Sequence, residues 1–196
     1  MSLIGAYAVP HPPLIVPAVG KGEERAIDTT IQNFTEVAKR VAQHQPDLII
    51  ITSPHAPLYR DGFFIADAAQ EEGSMARFNA PEERLTIQGD PAFAHHLEEQ
   101  LHRHSIAVTH RDPDHTIDHG SYVPLYFLAQ TLDLSTVPVL RIGLSGLSAQ
   151  AHRFLGQAIA EVARTTDRRV ILIASGDWSH KPVSYTHLDV YKRQAL

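Results

Sequence analysis

Two short runs of consecutive apolar residues constrain this chain more than anything else in it. Leu48-Ile49-Ile50-Ile51 and Val170-Ile171-Leu172-Ile173-Ala174 have no polar alternation, so neither suits a strand with one face in water. Strands buried on both faces are typical of parallel sheets covered by helices on either side. The segments between them fit that picture. Over residues 21–44, Ile27, Ile31, Phe34, Val37 and Val41 recur at three- and four-residue steps, while Asp28, Gln32, Glu36 and Lys39 fall on the opposite face. That period predicts an amphipathic helix. Further helices are expected over residues 91–104, 122–132 (with Ser121 as N-cap) and 150–164. Strands are expected at 3–9, 47–53, 62–68, 106–109, 138–142 and 170–174. Strands alternating with helices imply an α/β fold, a single three-layer domain with a mainly parallel central sheet flanked by helices.

Composition narrows the function classes. The net charge is −5, which gives no electrostatic case for nucleic acid or an anionic membrane. No apolar run approaches the ~20 residues of a membrane span. The N-terminus lacks a basic leader and soon meets Pro10, Pro12 and Pro13, so a cytoplasmic protein is expected. There is no cysteine, hence no disulfide and no thiolate metal site. Histidine, by contrast, occurs 13 times, and imidazole suits iron and zinc.

Their positions are informative. In open α/β sheets, ligands bind beyond the carboxyl ends of the strands. His11, His55 and His180 each follow a predicted strand. His11 lies in Val9-Pro10-His11-Pro12-Pro13-Leu14 and His55 in Ser53-Pro54-His55-Ala56-Pro57, both stiffened by proline. A rigid turn keeps an imidazole in a fixed direction, as a metal ligand requires. His119, in Asp118-His119-Gly120-Ser121, would sit at a helix N-terminus, where the dipole disfavours imidazolium and Asp118 favours it. The competing reading makes Asp118 and Ser121 simple caps and His119 a bystander. His180 closes Gly176-Asp177-Trp178-Ser179-His180 and could act as base or ligand, with Trp178 a packing residue. His95, His96, His102, His104, His44, His152, His110 and His115 read as solvated, with no second ligand at an evident metal spacing.

These motifs, in this order, resemble class III extradiol ring-cleavage dioxygenases of the LigB type, over residues 3–182. Residues 123–127 and 141–148 are most similar to the dioxygenase-like domains of the AmmeMemoRadiSam system, which include Memo-related proteins. Trp178 departs from the pattern, standing where leucine is frequent. The resemblance implies that His11 and His55 ligate Fe(II), and that His119 and His180 are acid/base residues beside the substrate. It implies an aromatic diol and O2 as substrates, and a glutamate well downstream of His180 as third ligand. The chain is therefore expected to be an N-terminal part, incomplete at its C-terminus, with weak iron binding and little turnover. A homo-oligomer or a fused downstream domain would be compatible with the family. The alternative is a Memo-like metal-binding or redox-accessory protein, in which zinc could replace iron, without ring cleavage.

Residues 183–194 resemble something else, the translation of an inverted-repeat transposase adapter used in sequencing libraries. An edge strand is the competing reading, since Val, Tyr and Thr favour strands. On the adapter reading the native domain covers 1–182, the tail 183–196 is foreign, and His187 and Asp189 play no part in a site.

Overall fold

A computed structural model of the chain describes residues 2–177. In chain order its elements are β1 (Leu3–Val9), α1 (Pro17–Gly20), α2 (Asp28–Gln43), β2 (Leu48–Ser53), β3 (Gly62–Phe64), β4 (Gln70–Met75), β5 (Ala80–Gln88), α3 (Pro91–His102), β6 (Ala107–Thr109), α4 (His119–Leu128), β7 (Val139–Gly143), α5 (Ala149–Thr165) and β8 (Val170–Ser175). The central sheet has the order β1-β8-β2-β7, and every pair in it is parallel.

The two apolar runs are the inner strands of this sheet, and their alternate residues enter two different cores. Ile49, Ile51, Ile171 and Ile173 join Phe34, Ala38 and Val41 of α2 and Val123, Leu125 and Phe127 of α4. Leu48, Ile50 and Val170 join Phe93 and Leu97 of α3 and Leu155, Ile159 and Val162 of α5. Helices thus cover both faces, giving the three layers expected from the sequence. Side chains on both faces of a strand have period two, so a two-faced burial shows as an unbroken apolar run. Among the described residues no helix is long and apolar enough to cross a membrane.

Local departures have local causes. The helix expected from residue 21 starts only at Asp28: Lys21 (φ 50°) and Gly22 (φ 106°) are left-handed, Glu23–Ile27 wind into a 3-10 helix, and Ile27 (φ −121°, ψ 33°) leaves helical geometry just before α2. The strand expected at 62–68 stops at Phe64. Ile65 then bridges Ile142 in antiparallel fashion, and the Ala66 N–H donates to the Arg141 carbonyl at 2.9 Å, carrying the chain onto the edge of β7. The antiparallel hairpin of β4 and β5 was not expected at all. Helix α4 begins three residues before the predicted start: Asp118, not Ser121, is its N-cap, accepting from the Ser121 N–H.

Candidate metal centre at the carboxyl rim

Strands β1, β2 and β8 run in one direction, so the segments leaving Val9, Ser53 and Ser175 emerge on one side of the sheet. His11 and His55 lie two residues beyond the first two of these ends. The structure brings them together: their ring centroids are 4.9 Å apart with perpendicular planes. His119, the first residue of α4, joins them at 3.9 Å from the His55 ring and 5.6 Å from the His11 ring. One nitrogen from each of the three lies within 4.8 Å of the other two. His11 is buried at the base, His119 is half-buried, and His55 is exposed at the rim. His180 and Trp178 lie outside the described residues.

A serine hydroxyl determines which His11 nitrogen carries the proton. Ser175 Oγ donates its proton to the Gly120 carbonyl at 2.5 Å, since a carbonyl can only accept. The contact between Ser175 Oγ and His11 Nδ1 at 2.9 Å must therefore run from the ring to the hydroxyl. His11 carries its proton on Nδ1, which leaves Nε2 with a lone pair. Metal-binding imidazoles are commonly held in this way, through a hydrogen bond from the second nitrogen. The Asp177 carboxylate is 3.7 Å from that Nε2.

Ser53 plays a matching part beneath His55. Its fully buried hydroxyl accepts from the His55 backbone N–H at 3.1 Å and donates to Asp118 Oδ1 at 2.5 Å. This ties the end of β2 to the cap of α4, and hence His55 to His119. Gly120 is required at the junction: a Cβ there would fall 2.4 Å from Ser53 Oγ and 3.1 Å from His55 Cδ2.

Asp118 is fixed in turn by Arg141, a fully buried cation in β7. The same guanidinium contacts Asp112 at 2.9 Å and pairs closely with Glu71 from β4. Burial opposes the Arg141 charge, and the carboxylates of Glu71, Asp112 and Asp118 overcome it. One cation facing three carboxylates leaves a formal excess of negative charge behind the imidazoles, a setting that favours a bound cation. His119 itself avoids charge. Burial, with His55 and His11 close by, lowers the His119 pKa to about 4 against the opposing pull of Asp118 and Asp177, so it is neutral at pH 7. Three clustered imidazoles with backing negative charge are chemically suited to a divalent transition metal.

Arg141 was the main element missed in the sequence. Within an apolar strand a lone arginine reads as an ordinary strand-end residue, and its three partners come from distant segments. A cleft of about 530 Å³ opens beside His55 and His119, with Tyr59, Arg77, Phe78 and Asp118 in its wall. Its size is in the range of small-molecule sites. The Phe78 ring lies 5.2 Å from that of His119. Of the remaining histidines, His115 is exposed, and His152 is engaged by the Ser145 N–H and the Ser148 carbonyl.

Comparison with known proteins adds independent information. The family described as the catalytic LigB subunit of aromatic ring-opening dioxygenase matches residues 5–188. A Clostridium acetobutylicum protein, Protein CA_C1420, is 31% identical over 92% of this chain and 40% of its own length. A Klebsiella pneumoniae 2,3-dihydroxyphenylpropionate/2,3-dihydroxicinnamic acid 1,2-dioxygenase is 28% identical over 90% of this chain and 56% of its own length. A Rhodococcus protein of the same name is 28% identical over 91% of this chain and 57% of its own length. The chain thus spans 40% to 57% of the length of these relatives.

Proposed function

The chain belongs to the LigB family of catalytic subunits of aromatic ring-opening dioxygenases, and on that premise we propose that it forms the metal-binding part of a class III extradiol dioxygenase, which opens a catechol-type ring with O2. The observation that carries this reading is the clustering of His11, His55 and His119, one nitrogen of each within 4.8 Å of the others, with the His11 ring held through Nδ1 by Ser175. In this reading His11 and His55 hold Fe(II). Bound there, Fe(II) supplies open coordination positions at which a catechol and O2 are brought together.

The chain's own residues manage position and protons. Ser175 holds the His11 ring and Ser53 holds the His55 backbone in place. His119, neutral at pH 7 and beside the cleft, takes up or returns a proton at its free ring nitrogen as the diol ionises. His180 is the second proton-handling residue, as the motif resemblance implies. The cleft receives the ring, with Phe78 along one side. The Klebsiella and Rhodococcus relatives are named for catechols bearing a short acidic side chain. Arg77 at the cleft wall, paired with Asp114 at 3.0 Å, is placed to receive such a carboxylate in exchange for Asp114.

The test, made on the full-length protein, is oxygen uptake and formation of a yellow ring-opened product from 2,3-dihydroxyphenylpropionate and unsubstituted catechol, with Fe(II) added anaerobically. His11→Ala and His55→Ala should abolish iron binding. His119→Gln should retain iron and lose about 100-fold or more in turnover. A protein that binds iron stoichiometrically yet consumes no oxygen with any catechol, or retains zinc in preference to iron, would defeat the proposal.

A further inference from the structure

A second group of imidazoles lies in the other helical layer and shares no residue with the first. His95, Glu98 and His102 follow one another on α3 at steps of three and four residues, so they occupy one face of the helix. Pairing of β3 with β6 directs the residue after Thr109, His110, against that face. Its Nε2 is 3.1 Å from Glu98 Oε2, and His95 Nδ1 is 3.5 Å from the same oxygen. All three ligand atoms lie within 4.8 Å of one another.

The other nitrogen of His110 is decisive. His110 Nδ1 contacts the Ile65 carbonyl at 2.7 Å, and because a carbonyl only accepts, Nδ1 carries the proton. The neutral ring then turns the lone pair of Nε2 directly toward a carboxylate oxygen. Two electron-rich atoms at that separation need a cation between them, either a second proton on His110 or a metal ion. The backbone hydrogen bond on the far nitrogen is the usual support of a ligating imidazole. The geometry also suits a metal. Tetrahedral zinc with bonds of about 2.0–2.1 Å places neighbouring ligand atoms about 3.3–3.4 Å apart, and two of the observed separations fall on either side of that value.

We propose that His95, Glu98 and His110 form a second divalent-metal site, with Zn2+ as its probe. Two imidazoles and one carboxylate make a donor set suited to borderline divalent ions such as zinc. His102 Nε2, 3.8 Å from the other Glu98 oxygen, is available as a further ligand. The ion ties α3 to the segment that leads from His110 through Asp112 to Asp118 and His119. It therefore acts as a staple at the base of the loop that carries the first site's cap, and it has no direct part in chemistry.

The test is Zn2+ titration by calorimetry, with Co2+ absorption as a second readout and far-UV circular dichroism as the check of folding. In a His11→Ala/His55→Ala protein, one Zn2+ per chain should still bind. His95→Ala, Glu98→Gln and His110→Ala should each weaken that binding at least about tenfold, since loss of even a supporting residue costs that much. His95 is exposed, so its removal cannot disturb the core. The neighbouring exposed His96→Ala should change nothing. Should the double background fail to fold, the same three substitutions in the unsubstituted chain should each remove one Zn2+ from the stoichiometry. Zinc binding unaltered by all three, or weakened equally by His96→Ala, would overturn the proposal.

Discussion

Arg141 shows how much of the candidate centre rests on a residue that never touches it. Its guanidinium holds Asp118, Asp118 caps α4, and the first residue of α4 is His119. Removing one partner from a buried ionic group leaves the others uncompensated, which is more damaging than the pair itself is stabilising. Arg141→Met should therefore destabilise the protein by about 3–5 kcal/mol, read as a fall in urea midpoint. Arg141→Lys should recover only part of this, because an ammonium cannot contact three carboxylates in the fixed fork of a guanidinium. If the methionine variant matched the parent, the network would be decorative. At this scale the sequence was legible where stiffness was written locally. Prolines beside His11 and His55 marked them as rings held in fixed directions at strand ends, and the structure brings both rings together. Arg141 and His110 were not legible, because each acquires its partners only through strand pairings between remote segments.

Elements behaved similarly. The parallel strands declared themselves because burial on two faces removes polar residues altogether. The β4 and β5 hairpin did not, because Gln70-Glu71-Glu72-Gly73 is composed of residues that strands disfavour. Tertiary packing explains the choice: a Cβ on Gly73 would lie 2.6 Å from Ile117 Cβ, so only glycine lets β4 approach the segment leading into α4. The starts of β2 and β8 are joined by a different device. Asp47 accepts from the Arg169 backbone N–H and side chain at 2.8–3.0 Å, while Arg168 donates to the Asp47 carbonyl. The Arg169 hydrogen bonds lower the Asp47 pKa to about 2 despite some burial. A carboxylate whose folded pKa lies below its unfolded value of about 3.9 contributes stability above that value and loses it as pH falls toward 2. Asp47→Asn should thus lower the urea midpoint at pH 7, with the difference shrinking as pH falls from 4 to 2. The Asp47 side chain is 38% exposed, so the effect at pH 7 is modest, below about 1 kcal/mol. A difference that persists undiminished at pH 2 would place the effect elsewhere.

For the whole molecule, the carboxyl rim gathers residues from β1, β2, β8 and α4, so an ion held there joins four elements at once. Binding to the folded state alone stabilises by mass action, about 2.7 kcal/mol at a hundredfold excess over the dissociation constant. Anaerobic Fe(II) should therefore raise the unfolding midpoint of the chain, and His11→Ala should abolish that rise. An identical rise in the variant would assign the effect to another site.

Strand order adds a kinetic corollary. The last strand described, β8, lies between the first two of its sheet, β1 and β2. Everything from β1 through Ser175 must be available before that gap can be filled, and pairings between such distant segments are slow to form. Ser175 arrives on that same strand, so the hydroxyl that sets the proton on His11 is absent until the sheet closes. The histidine cluster and a completed core should consequently appear in one event, leaving no early intermediate able to capture a cation in a half-built cage.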